Sequence, residues 1–181
     1  MFRSVAFLAL LAFLAPACSK EIGDPCSTSV DCDQNNTRDC DLSQPGGYCT
    51  INGCDELSCP GEAVCIRIFP YEAPRSACTQ DSDCSSVSLG VCQPDGFCGC
   101  SQDAECAGTG LCLPDGICVP RASERRYCER GCGGNGDCRG GYVCREAGVE
   151  GRHSNTSTYG SIALVANANQ STIVKFCAPS P

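Results

Sequence analysis

Hydrophobic residues are concentrated at the start of the chain and become sparse after it. Residues 5–15 form an uninterrupted apolar run of eleven residues, with Arg3 just before it. This length matches the hydrophobic region of a signal peptide and is too short to span a bilayer, which needs ~20 residues. The pattern predicts a signal peptide over residues 1–17.

Beyond this leader, no stretch has the spacing of an amphipathic helix. We therefore expect little helix. Two Pro-Asp-Gly triplets, residues 94–96 and 114–116, have the composition of tight turns. Proline fixes φ at about −65° and glycine supplies a positive φ. The flanking pairs 91–92 and 97–98 then predict a short β-hairpin.

The C-terminal region has a different pattern, because no cysteine occurs between Cys144 and Cys177. Two β-rich runs, residues 162–165 and 172–176, flank the polar sequence Asn-Ala-Asn-Gln. We expect these two runs to pair as a C-terminal β-hairpin that Cys177 ties to the rest of the chain.

The cysteines form repeated groups of four. Residues 78–98 and 100–118 align as CTQDSDCSSVSLGVCQPDGFC and CSQDAECAGTGLCLPDGIC, with Asp83 and Glu105 just before the second cysteine. This is an internal duplication. Looser versions occupy residues 26–53 and 128–181, the latter with a cysteine-free insert closed by Cys177. A half-module over residues 54–77 is completed by Cys128.

Every cysteine after Cys18 is thereby assigned to a disulfide. These residues are Cys26, Cys32, Cys40, Cys49, Cys54, Cys59, Cys65, Cys78, Cys84, Cys92, Cys98, Cys100, Cys106, Cys112, Cys118, Cys128, Cys132, Cys138, Cys144 and Cys177. Four cysteines allow three pairings, and we predict first-to-third and second-to-fourth pairing within a module.

Composition argues against an ordinary hydrophobic core. After Cys18, Leu, Ile, Val and Phe make up 25 of 163 residues, and a share below ~20% usually means disorder. Cysteine makes up 20 of the same 163 residues, above the ~8–10% of disulfide scaffolds. Each disulfide contributes ~2–4 kcal/mol, mainly by restricting the unfolded chain. The predicted fold class is a small disulfide-rich protein of tandem cysteine-knotted modules with short β-hairpins.

Cys18 makes the total of 21 cysteines odd. Ala15 and Ala17 flank Pro16 directly before it, and small residues ahead of a cysteine resemble the bacterial lipobox. The resemblance implies that Cys18 carries lipid, that residues 18–25 are a lipidated tether, and that the protein is anchored to the outer membrane or cell surface of a Gram-negative bacterium. Two acyl chains suffice for stable anchoring. The alternative is cleavage after Ala15 or Ala17, which leaves Cys18 as a structural or free cysteine.

Charge is distributed unevenly over a chain of net charge −8. Residues 21–115 are strongly acidic and should be repelled by nucleic acid and by anionic membranes. Residues 121–152 are rich in arginine. The candidate docking residues for a protein partner are Arg121, Arg125, Arg126 and Arg130. The alternative is a solvated face with local ion pairs.

The sequence offers little catalytic chemistry, and we expect no enzyme and no catalytic residue. His153 is the only histidine and lies in a polar segment, and nothing predicts the preorganised cavity that catalysis requires. The five-residue cysteine spacing differs from the Cys-x2–4-Cys pairs of zinc sites.

Calcium is the one metal with a candidate site, and we expect no other metal or cofactor. Oxygen ligands at alternate positions begin calcium loops, and Asp31, Asp33 and Asn35 lie at alternate positions, with Asp39 following later. The glycine and the distal glutamate of an EF-hand are missing. Asp and Asn are also common turn residues, which is the alternative interpretation.

The motifs IGDPC…DC, PGGYCT, CPGEAVC and DCRGGYVCRE make residues 22–144 resemble the cysteine-rich predicted lipoproteins of myxobacteria. Their repeats are in turn similar to the N-terminal cysteine-rich domain of the Dickkopf proteins. The resemblance implies architecture and compartment and says nothing about activity. The insertion of residues 78–118 departs from the simpler family pattern.

We therefore expect a non-enzymatic exported surface lipoprotein that acts as a binding, interaction or protective module. Its expected contacts are the membrane, through the N-terminal lipid, and an unidentified extracellular or envelope protein, without nucleic acid. Two alternatives stay open. One is a secreted small-knot inhibitor or effector, and the other is an adhesion or enzyme-accessory subunit that docks through residues 121–130.

Overall fold

The structure is a computed structural model that describes residues 19–55, 57–71, 76–85, 90–108, 110–154, 160–165 and 174–180. Of residues 70, 71, 149–154 and 160–165 it describes the backbone alone. The predicted signal peptide, Cys18 and residues 172–173 lie outside the described residues.

Ten disulfides join all the cysteines that follow Cys18, two in each of five groups. The pairs are Cys26–Cys40, Cys32–Cys49, Cys54–Cys65, Cys59–Cys128, Cys78–Cys92, Cys84–Cys98, Cys100–Cys112, Cys106–Cys118, Cys132–Cys144 and Cys138–Cys177. In every group the first cysteine pairs with the third and the second with the fourth, as the sequence predicts. We call these groups the first to fifth modules, in the order of their first cysteines.

The regular elements are short. The helices are α1 (Ser29–Cys32), α2 (Asp81–Ser85) and the 3-10 turns Asp103–Glu105, Arg121–Ser123 and Asn135–Asp137. The strands are β1 (Asp39–Asp41), β2 (Tyr48–Thr50), β3 (Ala63–Tyr71), β4 (Val91–Cys92), β5 (Cys98–Gly99), β6 (Gly110–Cys112), β7 (Cys118–Pro120), β8 (Arg125–Arg130), β9 (Tyr142–Glu146), β10 (Gly148–Ser154), β11 (Gly160–Val165) and β12 (Lys175–Pro179).

These elements confirm the predicted fold class, a small disulfide-rich protein with short β-hairpins and little helix. The first, third and fourth modules each close with an antiparallel pair, β1–β2, β4–β5 and β6–β7. The Pro-Asp-Gly turns are as predicted, because Gly96 has a φ of 81° and Gly116 a φ of 78°. So many disulfides are typical of extracellular or exported proteins.

The residue before the second cysteine folds the opening loop of each module by accepting a hydrogen bond from the backbone N–H three residues earlier, four residues earlier, or both. In the first module, Asp31 Oδ2 accepts from Ser27 and Thr28 at 2.8 and 2.9 Å. The equivalent acceptors are Ser58, Asp83, Glu105 and Asp137. The acid that the sequence repeats at this position is therefore a loop-capping residue.

A second side chain in the same loop orients the closing hairpin. In the third and fourth modules, Asp81 and Asp103 each accept the N–H of the third cysteine at 2.9 Å. Asn135 accepts the N–H of Cys144 at 2.9 Å in the fifth module. Hydrogen bonds to polar loop residues thus fix the position of the hairpin, which in larger domains is fixed by packing in a hydrophobic core.

A four-stranded antiparallel sheet of order β10-β11-β3-β8 joins the modules. Side chains alternate between the faces of β3. Ile66 and Ile68 pack with Phe176 on one face, while Phe69 packs with Leu113 of the fourth module on the other. The β3 strand is therefore the element on which the modules are assembled.

The predicted C-terminal hairpin forms with different strands. Residues 160–165 do not pair with the run that ends at Phe176; β11 lies between β10 and β3, with six residues in register against β3. The β12 strand instead pairs with β9, where Cys177 lies opposite Cys144. The physical reason is that the nine-residue β3 offers β11 a long edge, whereas the disulfide bridges of the fifth module hold β12 beside β9.

Residues 20–24, which the sequence assigns to a tether, are packed into the body of the protein. Ile22 is 0% exposed and lies in the main buried cluster with Tyr48 and Tyr142. The N–H of Lys20 donates to Cys32 O at 3.0 Å, and that of Gly23 donates to Cys49 O at 2.9 Å. The body has few other apolar residues to fill its centre. The Ile22 side chain takes this place among the disulfides, and its burial holds the segment against the body.

Candidate functional site

The four candidate docking arginines do not form one continuous basic patch. Arg121 pairs with Asp103 at 2.5 Å, Arg126 with Glu124 at 2.5 Å, and Arg130 with Glu21. Neighbouring residues of a strand point to opposite faces, so Arg125 and Arg126 are on different sides of β8. This arrangement favours the alternative of a solvated face with local ion pairs.

Glu124 clamps the segment before β8 to β3. One carboxylate oxygen accepts from Arg67 at 2.8 Å and the other from Arg126 at 2.5 Å. Burial raises the pKa of Glu124, but the two guanidinium groups have the larger combined effect, and the pKa lies below its usual value. The Arg67 guanidinium also lies 5.3 Å from the centre of the Phe69 ring. These arginines therefore have a structural role at the junction of the sheet and the fourth module.

Arg130 differs, because two clefts meet at its side chain. The larger cleft has a volume of about 350 Å³ and is lined by residues 61–64, residues 130–133 and Asp137. The smaller cleft, of about 140 Å³, also contains Arg130 and Asp137 and reaches Tyr48 and Glu21. The site therefore lies where the first, second and fifth modules meet.

The charged groups that line the clefts already have partners. Arg130 pairs with Glu21, Glu62 lies 3.5 Å from Arg38, and Asp137 accepts the N–H groups of its own loop. The Arg130–Glu21 pair is open to solvent, with 31% and 61% of the two side chains exposed. An open cleft with an exchangeable ion pair suits the recognition of a polar or anionic group better than acid–base chemistry.

Arg139 locks the first module onto the fifth behind the smaller cleft. Its guanidinium lies 4.3 Å from the Tyr142 ring centre and 5.7 Å from that of Tyr48. It also donates hydrogen bonds to the carbonyls of Pro45 and Gly47 at 2.8 and 2.5 Å. Stacking on two rings is a use for which arginine is better suited than lysine.

Glu129 is a buried acid close to this junction. The side chain is 2% exposed, and Oε1 accepts from the amide of Gln44 at 3.3 Å. Oε2 has no hydrogen-bond partner, and neither has Oε1 of Gln44. Burial raises the pKa of Glu129 to about 8; the nearby Tyr48 hydroxyl and Gln44 lower it, and Asp41 raises it further. Glu129 therefore holds a proton at neutral pH.

The burial of Glu129 could not be recognised from the sequence pattern. This residue lies between Cys128 and Arg130 in a segment read as an exposed arginine cluster. The one available signal was the alternation along β8, which places Tyr127 and Glu129 on the same face. Burial of that face depends on Gln44 and Tyr48 of a distant module, so periodicity alone could not reveal it.

The calcium candidates are occupied by hydrogen bonds that shape turns. Asp31 caps its loop, Asp33 accepts the N–H groups of Asn35 and Thr37 at 3.2 and 3.1 Å, and Asp39 accepts from Asn52 at 2.6 Å. Hydrogen bonds from Thr37 and then Asn35 lower the pKa of Asp33. This arrangement favours the turn-forming interpretation of these residues.

Across the described ranges, the groups of three or more candidate metal ligands within 4.8 Å consist of cysteines, and each of these cysteines is in a disulfide. The backbone of His153 lies in β10, opposite Ser161.

In the part of the chain that the structure describes, no helix is both long and apolar enough to cross a bilayer. Comparison with protein-family models, with curated proteins and with solved structures found no match to this chain.

Proposed function

We propose that this protein is an exported, lipid-anchored binding module that displays five disulfide-stapled units at the cell envelope. One observation carries the proposal. The ten disulfides use all the cysteines that follow Cys18, so no cysteine in the chain is left to pair with Cys18. Cys18 follows a signal-peptide pattern and has no cysteine left to pair with. We therefore propose Cys18 as the lipid attachment site.

Metabolic labelling with palmitate tests the lipid. We expect the wild type to incorporate label and to partition into detergent, whereas Cys18→Ser loses both properties. Ser19→Ala is the matched control, because it alters the neighbouring residue and keeps the cysteine. An unlabelled wild type in the aqueous phase would instead favour the diffusible inhibitor.

The Arg130 clefts are the proposed recognition surface for an envelope or extracellular protein. The small residues that line the larger cleft leave room for a partner's side chain, and the solvent-exposed Arg130–Glu21 pair can exchange its carboxylate for one from the partner. We propose binding rather than catalysis because the charged groups at the clefts are engaged in ion pairs or in hydrogen bonds that shape the fold.

A cleft-filling variant tests this surface. Gly61 lines the larger cleft, and a Cβ added there meets no atom within 4 Å, so Gly61→Arg places a long charged side chain at the cleft without a clash at its Cβ. Gly136 has equally open surroundings and does not line either cleft, so Gly136→Arg is the matched control. Crosslinking on intact cells should yield a partner with the wild type and the control and lose it with Gly61→Arg. Equal capture by both variants would exclude the cleft.

A further inference from the structure

Residues packed into the body of the protein lie within two to four positions of the proposed lipid site. Lys20 donates its N–H to Cys32 O at 3.0 Å, and its own carbonyl accepts from the Arg38 guanidinium. Glu21 pairs with Arg130, and Ile22 is completely buried. Residues 20–22 are therefore held by three different parts of the fold and cannot act as a flexible tether.

At most two residues, Cys18 and Ser19, therefore separate the proposed lipid from the packed body. A residue spans at most ~3.3–3.6 Å, so two residues reach about 7 Å. The headgroup layer on each side of a bilayer is itself about 5–7 Å thick. A linker of this length cannot hold the body clear of the headgroups.

We propose that the lipid on Cys18 holds the first module in direct contact with the membrane surface, with the exposed side of α1 against the headgroups. This inference rests on the lipidation proposed above. Lys20 is hydrogen-bonded to Cys32, the last residue of α1, and four helical residues span only about 6 Å. Val30, on α1, is 62% exposed and supplies an apolar contact at this surface.

The acidic charge of the chain selects the kind of membrane. An anionic surface would repel the acidic residues that follow the anchor. The Debye length at physiological salt is about 8 Å, which is comparable to the length of the linker, so this repulsion would be only partly screened. The covalent anchor, rather than charge attraction, enforces the contact. The matching partner is therefore a zwitterionic lipid surface.

Tryptophan fluorescence can measure the contact without background, because the chain contains no tryptophan. The lipidated Val30→Trp variant is placed in phosphatidylcholine vesicles that contain a phosphatidylcholine with a nitroxide quencher near the headgroup. Phe97→Trp, in the third module, is the matched control. Ser27→Trp gives a second probe beside α1 in case Val30→Trp folds poorly.

When the protein is bound to the vesicles, we expect the tryptophan emission of Val30→Trp and Ser27→Trp to shift to the blue and to be mostly quenched by the nitroxide. The emission of Phe97→Trp should not change. A ten-residue Gly-Ser insertion between Ser19 and Lys20 spans about 17 Å and should abolish the quenching while palmitate incorporation persists. Palmitate incorporation with unquenched probes at both positions would overturn the membrane contact and leave lipidation intact. Absence of palmitate would overturn both proposals.

Discussion

Replacing Glu129 by glutamine should stabilise the protein at alkaline pH. Glutamine keeps the size of the side chain and carries no charge at any pH. Its amide oxygen can still accept the hydrogen bond from Gln44 Nε2. The wild-type carboxylate, by contrast, would be buried without a cationic partner among the described residues once it ionises.

The size of this effect follows from the pKa of Glu129. Burial raises that pKa from 4.5 to about 8, and one pKa unit corresponds to about 1.4 kcal/mol. Between these two pH values the folded protein binds a proton that the unfolded chain has lost, so the free energy of unfolding falls as pH rises. The full loss, about 5 kcal/mol, is present above pH ~8.

Guanidinium unfolding with disulfides intact, followed by circular dichroism at pH 5 and at pH 9, measures this loss. We expect the wild type to lose several kcal/mol between the two conditions and Glu129→Gln to lose far less. Glu124→Gln is the matched control. It removes an ionised carboxylate from between Arg67 and Arg126, so it should lower the free energy of unfolding, whereas Glu129→Gln should raise it at alkaline pH. An unchanged pH dependence in Glu129→Gln would refute the buried, protonated carboxyl.

Two further predictions concern the loops of the modules. Gly47 has a φ of 68°, and an added Cβ would collide with the carbonyl of Cys26, so Gly47→Ala should lower the melting temperature strongly. Gly53 has a similar φ of 71° in open space, and Gly53→Ala should cost only the ~1–2 kcal/mol of a left-handed residue. Similar losses for both alanines would contradict the close approach at Gly47. Hydrogen bonds from the Thr79 backbone N–H lower the pKa of Asp83, so this stabilisation is present above pH ~3.8 and is lost as pH falls through the folded pKa. Amide hydrogen exchange at Thr79 should accelerate in Asp83→Ala, which removes the acceptor, and unchanged protection would exclude this capping role.

The local features of the fold could be predicted from the sequence because neighbouring residues determine them. Gly96 and Gly116 take the positive φ that a Pro-Asp-Gly turn requires. The repeated spacing of cysteines predicts their grouping in fours, and of the three pairings that four cysteines allow, the predicted order is the one that the structure has. Asp83 and Glu105 were recognised as a repeated feature, and the structure adds their capping role.

The long-range features could not be predicted in the same way. The β11 strand pairs with β3 across about ninety residues of sequence, and nothing in either segment names the other as its partner. Ile22 and Glu129 are likewise buried by contacts with Tyr48. Tyr48 lies in the first module, far from Glu129 in the sequence. A single isoleucine in a polar segment and a glutamate among arginines have the local pattern of exposed residues.

Mass spectrometry of the mature, unreduced protein tests the central claim most directly. Digestion at acid pH preserves the disulfides, because thiolate exchange is suppressed. The account predicts a lipid-modified Cys18 at the N-terminus, no thiol that reacts with an alkylating agent, and first-to-third and second-to-fourth links such as Cys78–Cys92 and Cys84–Cys98. An alkylated Cys18, or a Cys78–Cys84 link, would contradict it.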